Sequence, residues 1–195
     1  MLGKDYQIIS QGYEEGKEAE IEGRYVSKAV DITIRHNGND VAGVAVKFIM
    51  QNYSQNSVNY FENMLGETAN IRSVGIPYFH IIIMFDNIPH YKKTEEHGMI
   101  IDHWEHFSTS NAKKYEKLSQ DNPALYIHTP DKTLIFLVHI IENTSLNDKK
   151  TYVEFYKKHP KMKLSSQKFP NFDSGVIYND YEKFMRKIYH KVMSL

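Results

Sequence analysis

The segment VAGVAVKFIM, residues 41–50, constrains the fold more than any other stretch. It is nearly all apolar and too short for a membrane span, so it reads as a buried central strand. Lys47 is its only charge. A buried ammonium is costly unless it is paired or reaches solvent. The period of two puts Lys47 on one face with Ala45 and Gly43, small neighbours that leave room around it. Lys47 then either snorkels at a sheet edge, pairs with Asp31 for structure alone, or works with nearby acids. Asp31 lies in VDITIR, where Val30, Ile32 and Ile34 alternate with Asp31, Thr33 and Arg35. Asn37-Gly38 between the two runs is a strong hairpin signal.

A helix is expected next. QNYSQN leads into VNYFENMLGETANIR, in which Val58, Phe61, Leu65 and Ala69 form an apolar stripe. Glu62 falls inside that stripe, and Glu67 points to the opposite, solvated side. A glutamate on a core-facing helix surface needs a partner, either a metal ion or Lys47. Five residues apart is about 140° around a helix, so the two glutamates do not readily serve one site.

An acid on one strand, a lysine on the next and an acid on the following helix resemble the PD-(D/E)XK nucleases, which include many restriction endonucleases. The family motif has an acid on one strand and acid-X-Lys on its neighbour. Here these positions are Asp31 and Ala45-Val46-Lys47. Val30 stands where the motif has proline, and Ala45 stands where it has the second acid. Some members carry that acid on the following helix, and Glu62, 15 positions after Lys47, matches the variant. The resemblance covers roughly residues 20–90. It implies an α/β fold with a restriction-endonuclease-like core, a central mixed sheet flanked by helices. It implies a Mg2+-dependent endonuclease acting on double-stranded DNA, of the type II restriction kind, working as a homodimer. Asp31, Lys47 and Glu62 would be catalytic, with Asp31, Glu62 and the Val46 carbonyl holding the metal. Ala45 also fits a protein that keeps the nuclease fold and binds DNA without cutting it. If Ala45 instead replaces a catalytic glutamate, restoring that glutamate should raise activity. An α/β interaction domain, with Asp31 and Lys47 as a structural pair, is the reading from another class.

The chain of 195 residues suits a single domain, 1–195, and has no cysteine. No apolar run is long enough to cross a membrane. Without the apolar core of a signal peptide at the N-terminus, a cytoplasmic location is the default. Formal net charge is zero, but the charges are segregated. Residues 1–148 carry 13 lysines and arginines against 20 acids, and residues 149–195 carry 11 against 4. That basic C-terminal region suits either a polyanion or an ordinary solvated helix.

Residues 11–28 read as an acidic helix; the nuclease resemblance implies a further acid near the metal at Glu18 or Glu22, and on the residues alone both read first as plain surface charge. YFHIIIMF reads as a buried strand. Residues 86–98 read as a polar loop, and residues 99–121 as partly helical, clearest in NAKKYEKLSQDN. His103 and His106 sit at helix-neighbour spacing, with no third ligand at comparable spacing, and read as surface or packing residues. PALYIHTPDKTLIFLVHIIENTS reads as two strands joined at Pro130-Asp131-Lys132, with His139 a satisfied core histidine. NDYEKFMRKIYHKVMSL reads as a helix capped by Asn179 or Asp180, with Tyr181, Phe184, Ile188 and Val192 as its apolar stripe.

Overall fold

The computed structural model describes residues 3–13, 16–141 and 146–195. In chain order the elements are β1 (Tyr6–Ser10), β2 (Ala19–Glu22), β3 (Ser27–Val30), β4 (Ile32–His36), β5 (Asn39–Ile49), α1 (Tyr53–Arg72), β6 (Tyr78–Phe85), β7 (Asn87–Thr94), β8 (Gly98–His106), α2 (Thr109–Gln120), β9 (Lys132–Ile140), α3 (Lys149–Lys157), β10 (Met162–Leu164), β11 (Val176–Tyr178) and α4 (Tyr181–Val192). The fold is α/β, built on a mixed seven-stranded sheet in the order β1-β4-β5-β6-β9-β10, with β11 also paired to β9. The β1–β4 and β4–β5 pairs are antiparallel, whereas β5, β6 and β9 are mutually parallel. Two further hairpins, β2–β3 and β7–β8, stand off the sheet.

The turn between β4 and β5 follows from its sequence. Asn37 and Gly38 both have positive φ, 49° and 83°, as a two-residue hairpin whose turn matches the strand twist requires. The parallel step from β5 to β6 needs a crossover, and α1 supplies it. The two faces of the sheet carry different helices. His80 on β6 bonds Thr68 of α1, and the adjacent Phe79 packs edge-on against Phe184 of α4. Consecutive strand residues face opposite ways, so α1 and α4 cover opposite faces. Of the expected α4 stripe, Phe184, Ile188 and Val192 are buried, whereas Tyr181 in the first turn is 53% exposed, and Asp180 accepts the Lys183 N–H.

The first turn of α1 is closed by a carboxylate from another element. Glu105 on β8 accepts the Ser54 N–H at 3.0 Å and the Ser54 hydroxyl. Burial pushes the Glu105 carboxyl up, and the bonds from Ser54 and His90 outweigh this and hold it below the ordinary carboxylate value. An ionised acid at a helix N-terminus also complements the helix dipole.

Several expectations are corrected. The expected helix over residues 11–28 is absent among the described residues: residues 11–13 and 16–18 are turn and coil, residues 19–22 form β2, in which AEIE alternates, and the chain turns through Gly23–Val26 into β3, while residues 14–15 lie outside the described residues. Residues 87–94 and 98–106 form the β7–β8 hairpin, where a loop and a helix start were expected. His103 and His106 therefore lie on opposite faces of a strand. In residues 123–141 only β9 is a strand, and PALYIHT is turn and coil; residues 142–145 lie outside the described residues. His139 is not enclosed: its side chain is 41% exposed and its Nδ1 meets the buried Asp86 at 3.1 Å. Among the described residues, no helix is long and apolar enough to cross a membrane.

Candidate active site

Asp31 occupies the bend between β3 and β4, where the chain passes from the β2–β3 hairpin into the main sheet. Its Oδ2 accepts the Val46 N–H at 2.7 Å. β4 pairs with β5 only as far as Ile32 opposite Val44, so past that point the Asp31 side chain replaces the strand partner. A strand residue projects its N–H and C=O to the same side. The Val46 carbonyl therefore points along the same open edge, beyond the end of β4. Among the described residues, no side chain pairs with the second oxygen of Asp31.

Lys47 follows on the α1 face of β5. It is exposed, not buried, and its Nζ lies 4.9 Å from the centre of the Tyr60 ring on α1. Among the described residues, no carboxylate comes within ion-pair distance of it, so a structural Asp31–Lys47 pair is not formed. The small neighbour Gly43 does not leave open space on that face. The Tyr78 ring sits where a Cβ on Gly43 would fall, 2.7 Å from that position.

Helix α1 presents its acids differently from expectation. The buried positions are Tyr53, Ser57, Met64, Thr68, Asn70 and Ile71, so the core-facing stripe runs one residue earlier than Val58-Phe61-Leu65-Ala69. Val58 is 60% exposed. Glu62 is consequently an exposed residue at the rim of the cleft. Glu67, expected in solvent, is 20% exposed, accepts the Tyr78 hydroxyl and pairs with Lys28 at 3.1 Å. Burial, followed by the neighbouring charges of Glu67 and Asp31, pushes the Tyr78 hydroxyl far above its ordinary value, so it stays a proton donor.

Asp31, Ala45, Val46, Lys47, Glu62 and Glu67 line one cleft of about 690 Å³, with Lys28 and His80 also in its wall. His80 stands beside Ala45 in the β5–β6 register and is fully enclosed. The Thr68 hydroxyl donates to the Met64 carbonyl at 2.7 Å, so its one hydrogen is used. His80 Nε2 must then be the donor in the 2.9 Å contact with Thr68. Burial, reinforced by Lys28, pushes the His80 imidazole down to about 3, leaving it neutral.

The β2–β3 hairpin is fastened to α1 by Asn70, whose amide accepts from the Tyr25 and Val26 N–H groups and donates to the Val26 carbonyl. That attachment holds Lys28 over Glu67. The sequence reading missed Lys28, Glu67, Tyr78 and His80. Gly43 was the available signal, since a glycine in a central strand marks a close approach by another group. Glu18 lies outside the cleft lining, as does Glu22.

In composition the site is a set of oxygen donors with two lysines. Asp31 offers an unpaired carboxylate oxygen, Glu62 an exposed carboxylate and Val46 an outward carbonyl. Such donors fit a hard divalent cation such as Mg2+, which needs few protein ligands because it keeps several waters. Comparison with models of protein families, with curated proteins and with solved structures found no match to this chain.

Proposed function

We propose that the chain is a Mg2+-dependent endonuclease hydrolysing phosphodiester bonds of double-stranded DNA, with a restriction-endonuclease-like fold. The observation that carries this is the meeting of Asp31, the open Val46 edge, Lys47 and two α1 carboxylates in one cleft. The antiparallel β4–β5 pair followed by α1 and the parallel β6 is the element order expected of that nuclease core.

Asp31, the Val46 carbonyl and Glu62 would hold the ion, with Glu67, which lines the same cleft, as the alternative acid if Lys28 releases it. A bound Mg2+ supplies charge neutralisation at the phosphate and lowers the pKa of a coordinated water. The remaining work falls to the chain itself. Lys47, with no carboxylate within ion-pair distance among the described residues, would orient the attacking water and offset charge on the phosphate. Lys28 stands ready as a second cation facing the same cleft. The exposed Lys183, Arg186, Lys187 and Lys191 of α4 offer phosphate contacts on the far face of the sheet. Within this reading a type II restriction enzyme acts as a homodimer, since two-fold protein symmetry suits palindromic sites and two cleavage events.

Incubation with Mg2+ and phage or plasmid DNA tests the proposal. Discrete fragments identify a restriction enzyme, and a smear identifies a non-specific nuclease. Asp31→Ala and Lys47→Ala should each abolish cleavage with the fold retained, and cleavage at the normal rate by Asp31→Ala would overturn the reading. Glu62→Ala and Glu67→Ala, assayed side by side, identify which α1 carboxylate is used.

Ala45 favours a second reading, a DNA-binding protein of the same fold that does not cut. DNA left intact in Mg2+ but bound more tightly as salt is lowered would select it. Absence of binding at low salt would favour an α/β interaction domain.

A further inference from the structure

We infer that the β7–β8 hairpin carries a second metal site, built from His90, His103 and Glu105 and suited to a zinc-class transition ion. It is separate from the oxygen-lined cleft in both position and chemistry. His90 and His103 are direct cross-strand partners, and Glu105 lies two residues beyond His103 on the same strand face. One ligand atom from each of the three lies within 4.8 Å of the others. His90 Nδ1 is 2.9 Å from Glu105 Oε1, and His103 Nε2 is 3.9 Å from the same oxygen. The imidazole rings stack at 4.5 Å with planes 17° apart, which holds the two side chains next to each other on one face of the hairpin.

Tetrahedral zinc with bonds of about 2.0–2.1 Å places its ligand atoms roughly 3.4 Å apart. The two histidine–Glu105 spacings bracket that value, and turning the stacked rings toward Glu105 would bring all three ligand atoms onto one ion. Two features show preorganisation. Glu105 is 8% exposed and is gripped by the Ser54 N–H and hydroxyl, which fix it in place. Asp102 Oδ2 meets His103 Nδ1 at 2.9 Å, which orients the ring and leaves Nε2 for a metal. A carboxylate on the far nitrogen of a ligating histidine is the usual outer partner in zinc sites. Two imidazoles and one carboxylate favour Zn2+ or Co2+ over Mg2+. Because Glu105 also closes the first turn of α1, an ion here would tie the hairpin to the helix that walls the cleft.

The test is titration of the metal-free full-length chain with Co2+, followed by its visible absorption. One equivalent should give the intense bands of a low-coordinate site, displaced by Zn2+ and not by excess Mg2+. His90→Ala and His103→Ala should each lower Co2+ affinity at least about 100-fold, and Asp102→Asn about 10-fold. His103 is exposed and His90 half-buried, and circular dichroism of the variants checks the fold. Asp31→Ala should leave the Co2+ bands unchanged, which separates this site from the cleft whether or not the chain cuts DNA. Absence of a saturable Co2+ signal, or a signal indifferent to His90→Ala and His103→Ala, would overturn the inference.

Discussion

At the residue scale, Arg72 and Asp131 show how the cleft is braced from behind. Arg72, the last residue of α1, donates to the carbonyls of Pro123, Tyr126, Ile127 and Thr129 and meets Asp131 Oδ2 at 3.2 Å. The two side chains are 12% and 10% exposed. Asp131 Oδ2 also accepts the Tyr78 N–H at 3.0 Å, fixing the start of β6. Removing one partner of a buried, hydrogen-bonded pair leaves the other charge uncompensated. Arg72→Ala should therefore cost about 3 kcal/mol, the low end of the range for such a change, because Lys191 still faces Asp131 at 3.4 Å. Urea unfolding measures it, and a loss below about 1 kcal/mol would show that the loop does not depend on Arg72. Lys47 was legible because it is a charge placed against the pattern of its strand, and Asp31 because it opens the alternating run that pairs with that strand, although it sits in the bend before β4. The helix acids were not, because the buried stripe of α1 contains Ser57 and Thr68. Their hydroxyls donate back to the carbonyls of Ser54 and Met64, which satisfies them without water. An apolar-only stripe settles about 100° away, and the roles of Glu62 and Glu67 exchange with it.

At the element scale, β5 is the part on which the cleft is assembled. Gly43 admits the Tyr78 ring, Tyr78 holds Glu67, and Glu67 holds Lys28 on β3. Gly43→Ala would put a methyl 2.7 Å from that ring and 3.3 Å from Val30. Overpacking of this kind should cost about 1–3 kcal/mol and displace Tyr78 from Glu67. In a Tyr78→Ala background the same substitution should cost much less, and a double-mutant cycle in urea reads the coupling. Strictly additive losses would mean that the ring and the glycine are independent. Elements with a strong local signal were readable: the Asn37-Gly38 hairpin, the apolar YFHIIIMF, the helix in NAKKYEKLSQDN and the Phe184, Ile188 and Val192 positions of α4. β7 and β8 were not, because their outward faces carry histidines, lysines and acids, and hydropathy alone cannot tell such a hairpin from a polar loop. The three-residue β10 and β11 are too short to show a period.

At the scale of the whole molecule, the fold encloses a neutral histidine, and its acid stability should report it. His80 lies between β6 and α1 with its ordinary value of 6.5 pushed down to about 3 by burial and, secondarily, by Lys28. The unfolded chain takes up a proton near pH 6.5, whereas the folded chain refuses it until about pH 3. The group therefore leaves stability intact above pH 6.5 and erodes it as pH falls, by about 1.4 kcal/mol per pH unit across that window. His80→Gln keeps an N–H for the Thr68 hydroxyl and cannot titrate. The variant should be less stable at neutral pH through imperfect packing, yet its stability should fall less steeply below pH 6, by about one proton in the linkage slope. Urea midpoints taken across that range for both proteins decide the matter. Parallel slopes would mean that His80 reaches water or an acid in solution, and the tight seam between β6 and α1, on which the placement of Glu67 rests, would have to be looser than its geometry.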